Sequence, residues 1–420
     1  MARRPRLRVA NFAPARLVRR LVDLLGPTSD AARQSLVALA FNSLTSFVAG
    51  VTLVGIYPTF ERLPGLIILV TPAIGLRGNV FATLGNRLST AIHTGSYTRS
   101  FRRESILAQN LLASFALTTT ASVILAVLTK AIAVATGVGH SIGLLDLTMI
   151  SVVGGVLGSI PVAIATVLLT MGAVRYDWDL DNLVAPIVGT LGDVLTIPAL
   201  FLAAQLVGHG AVSPVLGALL GMLTIAVAVW SLRSHLDQLP QIVRESLPIL
   251  SVALLLSALG GLVLQKQLTV LNHLGAIFVL QPAFVSTAGA LGGILSGRVS
   301  TNLHLGSVEP TLVPGPEVRR DISFLFGLTV PIFVFNGLGA VLFARWAGSG
   351  EPGWWWTLLV SLLAAGITMT FVTAVSYYAT IGAWRIEVDP DSYGIPIVTA
   401  ATDFVGTVVL IFVVVALSLT

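Results

Sequence analysis

The chain has 420 residues, of which 55% are hydrophobic and 10% are charged, with a formal net charge of +5. A soluble protein carries roughly 25% charged residues. This composition, with a mean hydropathy of +0.91, therefore argues against a soluble enzyme, a fibrous or disordered protein and a nucleic-acid binder. The absence of cysteine excludes disulfides and thiolate metal ligands. An all-α integral membrane protein remains.

Apolar segments long enough to cross a bilayer follow one another along the chain, since a spanning helix needs about 20 residues. Gly75 and Gly78 are predicted to break the second span, and Pro186 and Pro198 the fifth. The glycine-rich eighth segment leaves a re-entrant alternative open. The eleven predicted spans are 36–57, 64–84, 105–129, 147–172, 183–208, 212–232, 247–265, 272–296, 322–344, 354–382 and 394–419.

Positive charge in the loops predicts the orientation of these spans. With the N-terminus in the cytoplasm, 19 of the 24 Lys and Arg residues lie inside, four lie outside, and Arg77 lies within a span. The first 20 residues are rich in Arg and contain no acid, which is typical of a cytoplasmic tail attracted to anionic lipid. We therefore expect a multi-pass protein of the plasma membrane with its C-terminus outside.

Short motifs recur in the two halves of the chain at a nearly constant separation, which indicates an internal duplication. The run Arg87–Thr90 matches Arg298–Thr301 at 211 residues, and Asp193 matches Asp403 at 210. Each repeat has five spans, and the additional span between them makes both repeats run the same way across the membrane. We expect a pseudo-two-fold axis along the membrane normal and a monomer acting as a pseudo-dimer.

Four segments follow from this duplication. A basic cytoplasmic tail over 1–32 precedes the first transmembrane repeat at 33–210. A linking transmembrane helix and loop over 211–243 lead to the second repeat at 244–420.

Asp193 and Asp403 are the two acidic residues that lie deep in a predicted span, about ten residues from its cytoplasmic end. At 1.5 Å per residue this depth is about 15 Å, close to the bilayer midplane. Insertion of a lone charged carboxylate at that depth costs a free energy on the order of 3 kcal/mol. One interpretation is a protonated aspartate in a hydrogen bond between helices. The favoured interpretation is a cation site on the axis, with one carboxylate from each repeat.

The second and eighth spans carry polar side chains among small residues. Close helix packing is one explanation for the small residues. The alternative is that the polar side chains contact the water shell of Mg²⁺, which dehydrates reluctantly. Predicted contacts to the metal ion besides the two aspartates are Asn79, Thr83 and Thr287, and Asn86 and Ser286 offer further polar atoms.

Arg77 is a positive charge within the cytoplasmic half of the second span. It could oppose one of the two aspartates, gate the inner mouth of a pathway, or extend to the membrane interface. Arg87 and Arg298, which correspond in the repeat, are interpreted as interfacial anchors rather than as site residues.

Two acidic loops precede the spans that carry Asp193 and Asp403, on the predicted cytoplasmic side. Helix capping accounts for such acids, with Asp181 and Asp391 placed as N-caps. The alternative is a symmetric vestibule that concentrates cations. Its candidate residues are Asp177, Asp179, Asp181, Glu387, Asp389 and Asp391.

The stretch Gly75–Gly95, with Pro72 before it, and the later run Pro186–Asp193 resemble the MgtE and solute carrier family forty-one magnesium transporters. The resemblance implies two MgtE-type membrane domains fused in one chain and transport of divalent cations. It also implies that Asp193 is the pore aspartate and that Gly78-Asn79 belongs to the family motif. The second repeat departs from this motif, because Gly289 is followed by Ala290.

The predicted function is therefore transmembrane transport of a divalent cation, Mg²⁺ above Mn²⁺ or Co²⁺, with the lipid bilayer as the other partner. No enzyme activity, cofactor or nucleic-acid partner is expected. Asp193 is expected to matter more than Asp403, because the second repeat lacks the asparagine. The alternatives are a transporter of an organic substrate and a membrane enzyme whose acidic loops bind a metal-bound phosphate.

Overall fold

The computed structural model describes residues 29–418 except 94, 98–99, 139–140, 177–179, 209, 269–273, 351 and 388–389. Within these residues the chain is helical. The helices are α1 (Ser29–Gly55), the short α2 (Tyr57–Arg62), α3 (Leu66–His93), α4 (Ile106–Ala135), α5 (Leu144–Tyr176), α6 (Leu180–Ala204), α7 (Val212–Arg233), α8 (Leu239–Lys266), α9 (Gly275–His304), α10 (Pro316–Trp346), α11 (Trp354–Arg385) and α12 (Pro390–Ser418).

Eleven helices of the described chain, all except α2, are long and apolar enough to cross a membrane. The eleven predicted spans and the all-α membrane class are thereby confirmed. The re-entrant alternative for the eighth segment is wrong, because α9 is one helix of 30 residues. At 1.5 Å per residue it extends about 45 Å, which exceeds the apolar thickness of a bilayer.

The predicted breaks in the second and fifth spans are also wrong. Helix α3 continues through Pro72 and both of its central glycines, and α6 continues through Pro186 and Pro198. A proline removes one backbone donor, and packing against neighbouring helices can compensate for that loss inside a membrane. The backbone carbonyls of these helices are therefore mostly occupied within the helix.

The first helix of each repeat packs against the other repeat. Helix α1 contacts α9 and α10, and α8 contacts α3 and α4. Both crossings depend on a glycine. A Cβ on Gly50 would lie 2.6 Å from the Cα of Val279, and a Cβ on Gly261 would lie 2.8 Å from the Cα of Ile68. Gly261 lies 211 positions after Gly50, and Val279 lies 211 positions after Ile68, so the duplication is present in the packing.

The remaining helices of each repeat pack in the same order. Contacts of α3 with α6, α5 with α6, and α4 with α5 recur as contacts of α9 with α12, α11 with α12, and α10 with α11. The linking helix α7 packs against α5, α4 and α8. In the described part of the chain, α3 and α9 do not pack extensively against each other. The exact domain boundaries stay a prediction.

Candidate cation site

Asp193 lies on α6, where it faces α1 and α9. The hydroxyl of Ser46 on α1 lies 3.4 Å from Asp193 Oδ2 and donates to it. The hydroxyl of Ser286 on α9 also interacts with this carboxylate. Asp193 is partly exposed whereas Ser46 is buried. The carboxylate is therefore held from two sides and remains accessible on a third.

A chain of polar contacts extends from this carboxylate along α1. The amide Nδ2 of Asn42 lies 3.0 Å from Ser286 Oγ, and Asn42 Oδ1 lies 3.2 Å from the same hydroxyl. Next to them the hydroxyls of Thr45 and Thr190 are 3.5 Å apart. Thr45 and Ser46 follow Asn42 by three and four residues, so the three side chains lie on one face of α1. That face supplies oxygen atoms around Asp193.

Asp403 lies on α12, where it faces α8 and α3. The hydroxyl of Ser257 on α8 donates to Asp403 Oδ2 at 2.6 Å. A Cβ on Gly75 of α3 would lie 3.4 Å from the same oxygen, and a Cβ on Gly260 would lie 2.9 Å from the Asp403 carbonyl oxygen. Glycine at both places lets the neighbouring helices approach this carboxylate closely.

The two carboxylates are held in equivalent ways. Ser46 and Ser257 are 211 residues apart and donate to aspartates that are 210 residues apart. The charges of Asp193 and Asp403 also interact with each other. The two serines were not singled out from the sequence, although the repeat separation that relates the aspartates could have identified them.

Asn79 lines a cleft between α3 and α8, together with Gly75 and Ser257. The latter two residues are neighbours of the Asp403 carboxylate. The adjacent Gly78 of α3 also packs against α6 beside Asp193, since a Cβ on Gly192 would lie 3.5 Å from the Gly78 nitrogen. The contact of Asn79 with an ion and the larger effect expected at Asp193 stay predictions.

The two threonines predicted to contact the metal ion make other contacts. Thr83 is partly exposed, and its hydroxyl donates to the carbonyl oxygen of Asn79 at 2.7 Å. Thr287 is fully buried, and its hydroxyl lies 3.1 Å from Ser43 Oγ and accepts from Asn336 Nδ2 at 3.0 Å. Thr287 thus joins α9 to α1 and α10, and its contact with an ion stays a prediction.

The predicted vestibule lies largely outside the described residues. Asp177, Asp179 and Asp389 are not described, and neither are the side chains of Asp181, Asp391 and Asn86. Because α6 begins at Leu180 and α12 at Pro390, Asp181 and Asp391 lie in the first helical turn rather than at the N-cap. Glu387 is exposed and has a positive φ of 58°.

The Arg77 side chain is buried rather than extended to the membrane interface, and among the described residues it forms no ion pair with a carboxylate. Its side chain is 1% exposed, and Nη1 donates to the carbonyl oxygen of Ala73 one turn earlier. A Cβ on Gly158 of α5 would lie 3.2 Å from Arg77 Nε, and one on Gly155 would lie 3.5 Å from Nη2. Among the described residues Nε has no hydrogen-bond partner. The guanidinium group therefore packs on the α5 backbone within the first repeat.

Arg87 and Arg298 make different contacts although they correspond in the repeat. Arg87 Nη2 donates to Ser246 Oγ on α8 at 3.1 Å. Arg298 Nη1 pairs with Asp321 of α10 at 2.8 Å, and its guanidinium lies 4.3 Å from the centre of the Phe324 ring. Both arginines link helices near the same end of the bundle, and their role as interfacial anchors stays a prediction.

The site has carboxylate charge but no larger cluster of metal ligands. No group of three or more carboxylate, imidazole or thiol side chains is found in the part of the chain that the structure describes. The two aspartates, their serines and nearby amide oxygens are thus the described groups that could contact a cation near the centre of the bundle. Oxygen ligands are those that Mg²⁺ and similar hard cations prefer.

Comparison with known families agrees with this donor set. The family model MgtE, described as a divalent cation transporter, matches residues 70–203 and again 281–413. The chain belongs to the MgtE family of divalent cation transporters. The two matches begin 211 residues apart, so each repeat carries its own MgtE unit.

Curated relatives of this MgtE protein are members of solute carrier family 41. Member 2 of Xenopus laevis is 27% identical over 90% of this chain and 72% of its own length. Member 3 of Mus musculus is 24% identical over 84% of this chain and 75% of its own length. Member 2 of Homo sapiens is 26% identical over 84% of this chain and 64% of its own length. No solved structure gives a significant match.

Proposed function

We propose that the protein carries Mg²⁺, or a related divalent cation, across the plasma membrane through a pathway between α3 and α9. The observation that carries this proposal is the pair of inward-facing carboxylates, each held by a serine of the equivalent helix. Two negative charges match one divalent cation, and the cation would relieve the repulsion between them.

The two central helices support a pathway at this position. A Cβ on Gly78 of α3, or on Gly293 or Gly297 of α9, would meet no atom within 4 Å. These helices are nevertheless the two most buried candidate spans. Open space beside buried helices that do not pack extensively on each other is what a cation pathway requires. The glycines would leave room for an ion that keeps part of its water shell.

The orientation of the pathway follows from the loop charges. We place the N-terminus and both acidic loops in the cytoplasm and the C-terminus outside. One chain would then supply both halves of the pathway, so that a monomer transports as a pseudo-dimer. Membership of a transporter family favours this function over the enzyme alternative.

The test is Mg²⁺ flux into sealed liposomes that contain the purified protein. In the double variant Asp193→Asn, Asp403→Asn, both side chains keep their shape and lose their charge. We expect flux to fall by at least about tenfold, because the desolvation of a cation in the membrane interior is no longer compensated. Each single variant should lose a large part of the flux.

Asp146→Asn is the matched control. Asp146 lies at the start of α5 and accepts a 2.5 Å hydrogen bond from the hydroxyl of Ser213 on α7. Asparagine at position 146 keeps an acceptor oxygen for this bond. This variant should transport at the wild-type rate. Folding of every variant is checked by monodisperse elution. Wild-type flux in the double aspartate variant would contradict the proposed site, and flux of no divalent cation by the wild-type protein would contradict the function.

A further inference from the structure

The surroundings of the two aspartates differ in polarity, although the repeat relates their positions. Around Asp193 the neighbouring helices supply an amide and several hydroxyls. The equivalent positions around Asp403 are mostly small and apolar, and only the serine is shared. Asn42, Ser46, Thr190 and Ser286 correspond to Ala253, Ser257, Ala400 and Gly75.

The hydrogen bonds on the Asp193 side leave oxygen lone pairs available. Asn42 and Ser286 pair with each other, with Nδ2 at 3.0 Å and Oδ1 at 3.2 Å from Ser286 Oγ. An amide oxygen has two lone pairs, so Asn42 Oδ1 keeps one when it accepts from Ser286. Asn42, Asp193 and Ser286 are all partly exposed. Amide, hydroxyl and carboxylate oxygens are thus available together to a cation.

We propose that Asn42, Ser46 and Ser286 form, with Asp193, a site that binds a partly dehydrated divalent cation through direct contacts to protein oxygens. The Asp403 side carries only the serine at the equivalent positions and offers a cation fewer such contacts. This inference rests on the proposed function and assigns a different task to each repeat.

The Asp403 side offers fewer oxygen atoms for such contacts. The cleft beside Ser257 is lined otherwise by apolar residues, by Gly75 and by Asn79. Positions 75 and 253 are glycine and alanine, whereas on the Asp193 side serine and asparagine occupy the equivalent places and bring ligand atoms.

The test measures Mn²⁺ binding to the detergent-purified protein by electron paramagnetic resonance, which also counts the water molecules that remain on the metal. Asn42→Ala with Ser286→Gly gives the Asp193 side the residues that the same chain carries on the Asp403 side. We expect Mn²⁺ affinity of the Asp193 site to fall by at least about tenfold. The remaining bound Mn²⁺ should carry more water than in the wild type.

Thr52→Val is the control on the same helix, because the Thr52 hydroxyl donates to the Val48 carbonyl of its own helix. This variant should bind Mn²⁺ like the wild type. If the double variant does not elute as a folded protein, Asn42→Ser and Ser286→Ala are measured singly, with the same expected direction. Unchanged affinity and water count in folded variants would overturn the inference. Binding does not require transport, so this result is independent of whether flux is seen in liposomes.

Discussion

The central helices α3 and α9 have the same place in the two repeats but carry different polar residues. Each faces the first helix and the aspartate of the other repeat. The difference between them shows that the backbone arrangement, the aspartates and their serines were kept, whereas the chemistry around them diverged. Three of the positions at which they differ are Gly75, Arg77 and Asn79 on α3, which correspond to Ser286, Ala288 and Ala290 on α9.

The strongest contrast between α3 and α9 is the buried arginine. Arg77 fits because Gly155 and Gly158 of α5 have no side chains to meet it. The equivalent positions on α11 are Ala365 and Thr368, which are both buried, and the residue that corresponds to Arg77 is Ala288. The two glycines that make space for the guanidinium group in the first repeat are thus replaced by larger residues at the equivalent positions of the second.

Substitutions at positions 77 and 288 test this contrast and should have the largest effect. Ala288→Arg buries an unpaired charge in the membrane, at a cost on the order of 3 kcal/mol, and also lacks space. We expect little folded protein. Arg77→Met keeps the length of the side chain and removes the charge, and should be neutral or stabilising by about 1–4 kcal/mol. The measurement is the midpoint of thermal unfolding in detergent.

Ala288→Met is the control for side-chain volume in the second repeat. It should be less destabilising than Ala288→Arg, because it adds no charge. Equal stability of Ala288→Arg and the wild type would contradict the contrast between the two repeats. If Arg77→Met is stable but transports poorly, the arginine acts on transport rather than on folding.

The part of the comparison that is symmetric can be tested at the two helix crossings. Gly50→Val and Gly261→Val each place side-chain atoms where less than 3 Å separates an added Cβ from the opposite backbone. Overpacking costs about 1–3 kcal/mol or more, and both variants should lower the unfolding midpoint by similar amounts. Gly55→Val is the control, since nothing lies within 4 Å of a Cβ there. A large effect at one crossing alone would contradict equivalent packing of α1 and α8.

Much of the fold could be predicted because its causes are local. Length and apolarity define the spans, and the repeated motifs relate Asp193 to Asp403 without any knowledge of packing. The serines were within reach of the same comparison, since Ser46 and Ser257 have the same separation as the repeat. Serine is common in packed membrane helices, so its position gains meaning only beside a carboxylate.

The remaining features depend on which helices meet, and a repeat does not determine that. The same duplication would be read from the sequence if α1 packed against its own repeat alone. The observed exchange places Gly75 beside Asp403 and Ser286 beside Asp193. The direction of Arg77 likewise depends on the two glycines of α5, a helix some 80 residues further along the chain.

The smallest expected effect comes from making the two aspartate sites more alike. Gly75→Ser gives the Asp403 side the hydroxyl that Ser286 provides on the Asp193 side. A Cβ there lies 3.4 Å from Asp403 Oδ2, so the hydroxyl can reach the carboxylate. One such hydrogen bond contributes about 0.5–1.5 kcal/mol, which is about a two- to tenfold change in an equilibrium constant. We expect a shift of this size in the concentration of Mg²⁺ that gives half-maximal flux.

The same substitution should change the selectivity of transport between Mn²⁺ and Mg²⁺. A serine at position 75 reduces the space for water beside Asp403 and adds an oxygen ligand. Mn²⁺, which takes protein ligands more readily than Mg²⁺ does, should therefore gain flux relative to Mg²⁺. Gly75→Ala is the control, since it adds the same Cβ without the hydroxyl and should leave the ratio of the two fluxes nearly unchanged. If serine and alanine give the same ratio, the hydroxyl does not act on the cation, and the divergence between α3 and α9 at this position affects packing alone.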